Sequence, residues 1–379
     1  MGTTLYVDNL AHGGHGVGRI DRRVYFVPYA APGDELEIDV VKETRGVRWA
    51  QIKQVLTPSP ERQEPCCDRF GECGGCNWLH LQETCQLEWK RRIVNDCFQR
   101  IARLDIETDI KPPTTWMGYR TRARFHGDGA HWGFYARGSH DVVDLEECPL
   151  CHPRLNEALR TLRQLPLRAA VEIIVNPDGH EVLFTAQRGL AKLKRLFASR
   201  QATASPAHFL YNGAPVVCGA FSQPSLLLNT QLIQTVHAAI GEARSILDLY
   251  CGAGNLSLGL TDHAQVTGLD HNAAAIQAAS SLGRGDYHVG DESVIVEALC
   301  SGAWDVVLLD PPRTGAKQIA DALAKADTQA IVYVSCDPAT LARDARTLAE
   351  KDWRVVHATV VDMFPQTSHI ETLCRLERA

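Results

Sequence analysis

The feature that most constrains the fold is an alternation of apolar and helical segments that begins near residue 230. A helical stretch over 230–240 leads into the apolar segment 245–250, which carries an acid near its end. Further strand-like segments cover 265–269, 304–309, 330–334, 353–361 and 371–376. Such alternation is typical of a doubly wound α/β domain with a mainly parallel sheet. We therefore predict a Rossmann-like α/β domain over residues 226–379.

The preceding part of the chain predicts two further units. Residues 1–56 contain short β segments split by glycines, at about 24–27, 36–40 and 49–55, which favours a small closed barrel. A proline-rich linker follows at 57–60. Residues 57–225 combine a helix at about 82–101 with several β-like segments, so we predict a central α+β domain there.

A cofactor site is predicted where the first strand of the α/β domain ends. Gly252 and Gly254 in the segment 248–255 allow a tight turn and close approach of the backbone to a ligand. Asp270 would end the next strand and accept hydrogen bonds from a ribose, and Asp291 would end a third strand near an adenine. Position 257 is serine, which disfavours the dinucleotide fingerprint. The pattern favours S-adenosylmethionine.

Two neighbouring strand ends carry the candidate chemistry. Asp310 follows the apolar run 306–309, and Cys336 follows the run 331–334 just before a predicted helix. The N-terminal dipole of that helix is expected to favour the thiolate of Cys336. A small buried hydrophobe is the alternative for this cysteine.

A thiolate in such a domain suits methylation of a pyrimidine. Addition of sulfur to C6 gives C5 carbanion character, so that C5 can take a methyl group. A general base must then remove the C5 proton so that the sulfur can leave. Glu371, at the start of the last predicted strand, is the candidate base, and an exposed strand acid is the alternative.

The composition predicts the cellular compartment and a second site, which is formed by cysteines. The chain has 13 cysteines, several of them crowded between 66 and 97. No apolar run reaches the length of a membrane span, and the N-terminus lacks the features of a signal peptide. We therefore expect a cytoplasmic monomer without membrane association, in which crowded cysteines indicate a metal or cluster site. The net charge is −6, yet lysines and arginines concentrate at 90–92, 120–124 and 192–195, where a local basic surface could bind phosphates.

The motifs together resemble the RNA (uracil-5-)-methyltransferase family, over essentially the whole chain. The segments that carry the resemblance are 221–224 with Asn229, 248–255, 310–313, 335–338 and 369–371. The resemblance implies that Cys336 is the nucleophile and Glu371 the base. The residues it implies for S-adenosylmethionine are Gln223, Tyr250, Asn255, Asp270, Asp291 and Asp310. Asp270 departs from the family, which more often has glutamate there.

The resemblance extends to the first two units. The N-terminal β segment resembles the TRAM barrel (an OB-like fold), and the cysteines resemble those of members that hold a [4Fe-4S] cluster. The implied ligands are Cys67, Cys73, Cys76 and Cys148, with Cys66 as the alternative to Cys67. Zinc is the other candidate, because Cys148 and Cys151 form a Cys-x2-Cys pair.

The expected partner is RNA. The barrel and cluster layout favours large-subunit ribosomal RNA, with transfer RNA as the other candidate. Two rival functions are an RNA cytosine-5-methyltransferase and a noncatalytic iron–sulfur protein that binds RNA. Glu371 and the segment 310–313 argue against the first, and the intact Cys336 and Glu371 against the second.

Overall fold

The computed structural model describes residues 3–198 and 207–379. The N-terminal unit is a six-stranded sheet in the order β1-β5-β6-β4-β3-β2. Its strands are β1 (Thr3–Tyr6), β2 (Asn9–Leu10), β3 (Gly16–Ile20), β4 (Arg23–Val27), β5 (Glu35–Thr44) and β6 (Val47–Thr57). The sheet curls, and β3 lies close to β1. A Cβ added at Gly18 would lie only 2.1 Å from the Tyr6 carbonyl oxygen. Only glycine permits this approach.

The middle of the chain forms a helix and a five-stranded antiparallel sheet. Helix α1 (Glu83–Cys97) continues into a π-helical turn (Phe98–Ala102), and β7 (Asp109–Lys111) follows. The sheet runs β10-β9-β8-β11-β12, and two short strands, β13 and β14, pair beside it. The bounds are β8 (Arg122–Asp128), β9 (Trp132–Tyr135), β10 (Val142–Asp144), α2 (Pro153–Leu162), β11 (Arg168–Val175), β12 (Val182–Ala186), α3 (Leu190–Leu196), β13 (His208–Tyr211) and β14 (Ala214–Val217).

The C-terminal part is built on an eight-stranded sheet in the order β17-β16-β15-β18-β19-β21-β20-β7. Strands β15 to β19 are parallel to one another, whereas β21 is antiparallel to β19 and β20. The bounds are α4 (Leu226–Ile240), β15 (Ser245–Leu249), β16 (Gln265–Asp270), α5 (Ala273–Ser280), β17 (Asp286–Val289), α6 (Glu292–Ser301), β18 (Ala303–Leu309), α7 (Ala320–Lys325), β19 (Asp327–Ser335), α8 (Pro338–Ala349), β20 (Trp353–Val361) and β21 (Glu371–Arg378). The predicted α/β architecture is confirmed.

Helices cover both faces of this sheet, as a buried parallel sheet requires. One buried cluster joins α6, α7 and α8 to the strands, and another joins α4 and α5 to the opposite face. Helix starts follow from their capping residues: the Ser225 hydroxyl accepts from Leu228 N, and the Asp337 carboxylate accepts from Ala339 N and Thr340 N.

Two elements from the middle of the chain pack on the C-terminal sheet. Strand β7 pairs in parallel with β20 at the sheet edge, and α1 buries Trp89 and Ile93 in the same cluster as α8. The domain bounds given above stay a prediction. Among the described residues, none of the helices is long and apolar enough to span a bilayer.

Candidate active site

The candidate nucleophile and base lie side by side at the carboxyl end of β19. Ser335 pairs with Thr372 in the antiparallel register between β19 and β21. The next pair in this register would be Cys336 and Glu371, so the fold brings the two residues together. Glu371 is 2% exposed and starts β21, as the sequence predicts.

The environment of Cys336 does not favour the thiolate. Burial raises the pKa of the Cys336 thiol to about 11, the neighbouring Glu371 and Asp310 raise it as well, and Arg313 lowers it. The expected stabilisation by the helix dipole is therefore wrong. The dipole does not act on the thiol because α8 is already capped. The carboxylate of Asp337 accepts hydrogen bonds from the free amides at the start of this helix.

The two nearby acids also favour their neutral forms. Burial raises the pKa of Asp310 to about 7. Burial and the charge of Asp310 raise the pKa of Glu371 well above its ordinary value, and Arg313 opposes this shift. A base with a raised pKa accepts a proton from a weak carbon acid more readily than an ordinary carboxylate does. The site therefore holds a thiol, two acids of raised pKa and one guanidinium.

A buried hydrogen-bond network holds the loop that precedes Glu371. Gln86 of α1 donates to Gln366 Oε1 and accepts from Gln366 N, both at 2.8 Å. Lys90 Nζ lies 2.7 Å from Asp362 Oδ1, and both side chains are 0% exposed. The Tyr119 hydroxyl donates to the Pro365 carbonyl at 2.9 Å. Segments at least 246 residues apart in sequence thus fix this loop.

The sequence analysis does not predict this network, because Lys90 lies within a run of basic residues. One signal in the sequence does indicate that Lys90 is buried. Gln86, Lys90 and Ile93 follow the helical spacing i, i+4, i+7, which places Lys90 on the buried face of α1.

A cleft of about 440 Å³ opens beside the nucleophile. All three parts of the chain line it: His12 and Tyr29 from the barrel, Arg137 from the middle, and Arg313 and Cys336 from the α/β domain. This cleft is large enough for a nucleotide base. It is also polar, and the partly exposed Cys336 is among its lining residues.

A second cavity lies under the glycine turn after β15. It is lined by four of the six predicted cofactor residues, namely Gln223, Tyr250, Asn255 and Asp310, and also by Asp248. Asp248 is 1% exposed, and the hydroxyl of Ser257 lies beside its carboxylate. Burial raises the pKa of Asp248 to about 8. A buried acid in the lining of a cavity fits a cationic ligand.

The other two predicted cofactor residues lie outside the lining of this cavity and already have local partners. Asp270 accepts from Gly252 N at 2.9 Å, which fixes the glycine turn, and from Asn272 N at 2.7 Å. Asp291 caps α6, accepting from Ser293 N at 2.9 Å. Their contacts with a cofactor stay a prediction.

The predicted cluster cysteines are neighbours. Burial raises the pKa of the Cys76 thiol to about 12; Arg120 opposes the shift, and the nearby thiols of Cys148, Cys73 and Cys67 add to it. Gly75 N donates to Cys73 Sγ at 3.4 Å. Within residues 3–198 and 207–379, however, no three or more histidine, cysteine, aspartate or glutamate side chains are arranged to hold a metal ion.

The prediction of a basic surface on the middle domain is wrong for several of the residues assigned to it. Lys90 is buried against Asp362. Arg122 and Arg124 both reach Glu172, at 3.0 and 3.5 Å. Lys90 and Arg122 are paired inside the protein, whereas the side chain of Arg124 stays 63% exposed although it reaches the same acid on β11.

Comparisons with known proteins agree with this geometry. A family model described as tRNA (Uracil-5-)-methyltransferase matches residues 297–379. A second, described as tRNA (uracil(54)-C(5))-methyltransferase, TRAM domain, matches residues 4–60.

Similar full-length proteins are known in bacteria. The 23S rRNA (uracil(1939)-C(5))-methyltransferase RlmD of Methylococcus capsulatus is 30% identical over 98% of this chain and 96% of its own length. The protein of the same name from Chromohalobacter salexigens is 32% identical over 99% of this chain and 89% of its own. The crystal structure of Pyrococcus abyssi tRNA (uracil-54, C5)-methyltransferase in complex with S-adenosyl-L-homocysteine has a TM-score of 0.79 at 23% identity, covering 98% of this chain and 99% of that one. It supports the fold.

Proposed function

Since this chain belongs to the RNA (uracil-5-)-methyltransferase family, we propose that it transfers a methyl group to C5 of a uridine in RNA and that Cys336 and Glu371 carry the reaction. The expected family, the enzyme class and the TRAM type of the barrel are confirmed. The observation that carries the assignment of residues is the register between β19 and β21, which makes the thiol and the buried acid neighbours.

The two residues divide the reaction between them. Sulfur of Cys336 bonds to C6 of the uracil, the electrons of the C5–C6 double bond move toward O4, and the thiol proton passes to a neighbouring carboxylate. We propose Asp310 for this role, because its charge acts on the Cys336 thiol. S-adenosylmethionine, when bound, supplies the methyl group that C5 takes up. Glu371 in its ionised form then removes the C5 proton, the double bond re-forms, and the sulfur of Cys336 leaves and takes a proton back from Asp310.

The cavity under the glycine turn supports S-adenosylmethionine as the cofactor. Its sulfonium and ammonium groups are cationic, and the buried acids Asp248 and Asp310 line the cavity. Tyr250, Asn255 and Gln223 add an aromatic ring and two amides for the remaining polar groups. We extend the proposal to Asp270 and Asp291 on the family resemblance alone.

Variants of the two reactive residues test the proposal. We expect Cys336→Ala to form neither 5-methyluridine nor a covalent complex with RNA. We expect Glu371→Gln to accumulate a protein–RNA adduct that carries the methyl group, because the adduct cannot lose its C5 proton. Denaturing gels with methyl-labelled cofactor measure both. Cys300→Ala, at an exposed cysteine on α6, is the matched control and should behave like the parent protein. Normal methylation by Cys336→Ala would refute the mechanism.

We propose 23S ribosomal RNA as the substrate, because the full-length relatives named above are 23S enzymes. Mass-spectrometric mapping of RNA from a strain that lacks the protein tests this choice. Loss of one 5-methyluridine from 23S RNA supports it. Loss of 5-methyluridine from transfer RNA would show that transfer RNA is the substrate instead. Loss of 5-methylcytidine would favour the rival cytosine-5 chemistry.

We also propose that Cys67, Cys73, Cys76 and Cys148 hold a [4Fe-4S] cluster. Besides burial, the Cys148 thiol raises the pKa of Cys67, Cys73 and Cys76, whereas the exposed Cys66 affects only its neighbour Cys67 among them. This supports Cys67 over Cys66. A cluster there would stabilise the middle of the chain, since Arg120 next to it donates to Gly75 at 2.7 Å.

Metal analysis tests the cluster. Protein purified without oxygen should contain about four irons and four sulfides per chain. Cys76→Ser should lose them, whereas Cys66→Ser should keep them. Stoichiometric zinc without iron would favour the zinc alternative, and neither metal would exclude both.

A further inference from the structure

Arg137 is an exposed arginine at the cleft beside Cys336, and barrel residues hold it in place. Its Nη2 lies 2.8 Å from His15 Nε2, and its guanidinium lies 5.0 Å from the centre of the Tyr29 ring. Arg137 and Tyr29 both line the cleft that contains Cys336. The residue follows β9 of the middle domain, so this contact joins two parts of the chain at the mouth of the cleft.

Neither barrel partner neutralises the arginine. Burial lowers the pKa of His15 to about 4, with a further contribution from Arg137, so the imidazole is neutral and its Nε2 accepts the hydrogen bond. Tyr29 offers only the face of its ring. Within the described parts of the chain, no carboxylate is within 4.0 Å of the Arg137 guanidinium, unlike Arg19 of the barrel, which lies 3.4 Å from Asp8.

The two partners are themselves fixed, which makes the arrangement rigid. His15 packs edge-on against Trp49, with ring centres 5.0 Å apart. The Tyr29 hydroxyl donates to the Gly71 carbonyl at 3.3 Å, and its ring contacts Phe70. A guanidinium that is oriented but not neutralised is suited to a phosphate, to which it can donate two parallel hydrogen bonds.

We propose that Arg137, oriented by His15 and Tyr29, binds a backbone phosphate of the RNA next to the target uridine. This inference rests on the proposed function, since the cleft is the site in which the uridine would meet Cys336. It makes the barrel part of the substrate site, because the barrel orients the phosphate-binding arginine. His15 and Tyr29 are positioning residues that do not themselves touch the reacting atoms.

Salt-dependent binding separates this role from a structural one. With unmodified 23S RNA and the full-length protein, we expect Arg137→Ala to raise Kd about tenfold, as for loss of a charge-assisted hydrogen bond. The slope of log K against log salt concentration should fall by about 0.7–0.9, the value for one phosphate contact. Arg137→Lys should keep the slope. Arg19→Ala, the matched control with a carboxylate partner, should keep both Kd and slope.

A double-mutant cycle tests the positioning role. His15→Ala should weaken RNA binding in the parent protein but have no further effect in Arg137→Ala, whereas His15→Gln, which retains an acceptor, should bind nearly as the parent does. Additive effects would refute positioning, and an unchanged slope in Arg137→Ala would refute the phosphate contact. Because binding is measured without turnover, both results stand even if the parent protein transfers no methyl group, an outcome that would refute only the proposed function.

Discussion

Replacement of Asp248 by asparagine should stabilise the protein without cofactor. Asp248 is buried in the cavity under the glycine turn, and burial raises its pKa from 3.8 to about 8. At pH 7 the folded protein therefore holds this carboxyl protonated, whereas the unfolded chain has it ionised. The pKa difference between 3.8 and 7 corresponds to about 4 kcal/mol of lost stability.

The sign follows from the direction of the shift. An acid whose pKa is raised by folding destabilises progressively as pH rises from its unfolded value, 3.8, through its folded value, about 8. The penalty is therefore only about 1 kcal/mol at pH 4.5 and several times larger at pH 8. Asparagine avoids proton uptake, but its buried amide needs partners of its own, so we expect a net gain of about 2 kcal/mol at pH 8.

Thermal unfolding of the cofactor-free protein measures the gain. About 2 kcal/mol corresponds to a rise of roughly 4 °C or more in Tm for a unit the size of the α/β domain. The matched control is Asp286→Asn, at an exposed aspartate on β17, which should change Tm by less than about 1 °C. An equal gain at pH 4.5 and pH 8, or none at either, would show that the charge of Asp248 is not the cause.

Three further results are expected. The affinity for S-adenosylmethionine should rise with pH, by up to about tenfold per unit below the pKa of Asp248, because the cationic cofactor favours the ionised acid. Calorimetry between pH 6 and 8 measures this affinity, and an affinity that does not change with pH would contradict a contact between the cofactor and Asp248. Single-turnover methylation should accelerate from pH 6 to 9, since Asp310, with a pKa of about 7, must be ionised before it can take the thiol proton of Cys336; a rate that falls over this range would contradict the assignment. Lys90→Met should destabilise by about 3–5 kcal/mol by leaving Asp362 buried and unpaired, whereas combining it with Asp362→Leu should recover much of the loss in urea unfolding; equal loss in both variants would exclude the ion pair as the cause.

The sequence predicts the α/β domain closely because its signal is local. Strand β20 covers 353–361, as the apolar pattern indicates, and Glu371 starts β21. Turn and strand-end residues such as Gly252 and Asp310 are recognisable because the carboxyl ends of parallel strands meet at one edge. The pairing of Cys336 with Glu371 depends on antiparallel register, which the family resemblance supplies and the strand pattern alone does not.

The remaining features depend on contacts between distant segments. Strand β7 has three residues and acquires its place only by pairing with β20, so no local pattern distinguishes it. The pKa of Cys336 is raised first by burial and then by Glu371 and Asp310, which other strands deliver. For this reason the helix-dipole argument, which considers only the following helix, gives the wrong direction.

The loop before Glu371 shows how such contacts determine function. Burial removes water from the Glu371 carboxyl and so raises its pKa. A flexible loop would let the carboxylate turn toward water and regain an ordinary pKa. Gln86 prevents this by bonding both the backbone and the side chain of Gln366, while Lys90 anchors Asp362 at the loop's other end. Because α1 comes from the middle of the chain, that part of the chain both lines the cleft and holds the loop before the base in place. The basicity of Glu371 is therefore a property of the assembled chain, and an isolated α/β domain would lack it.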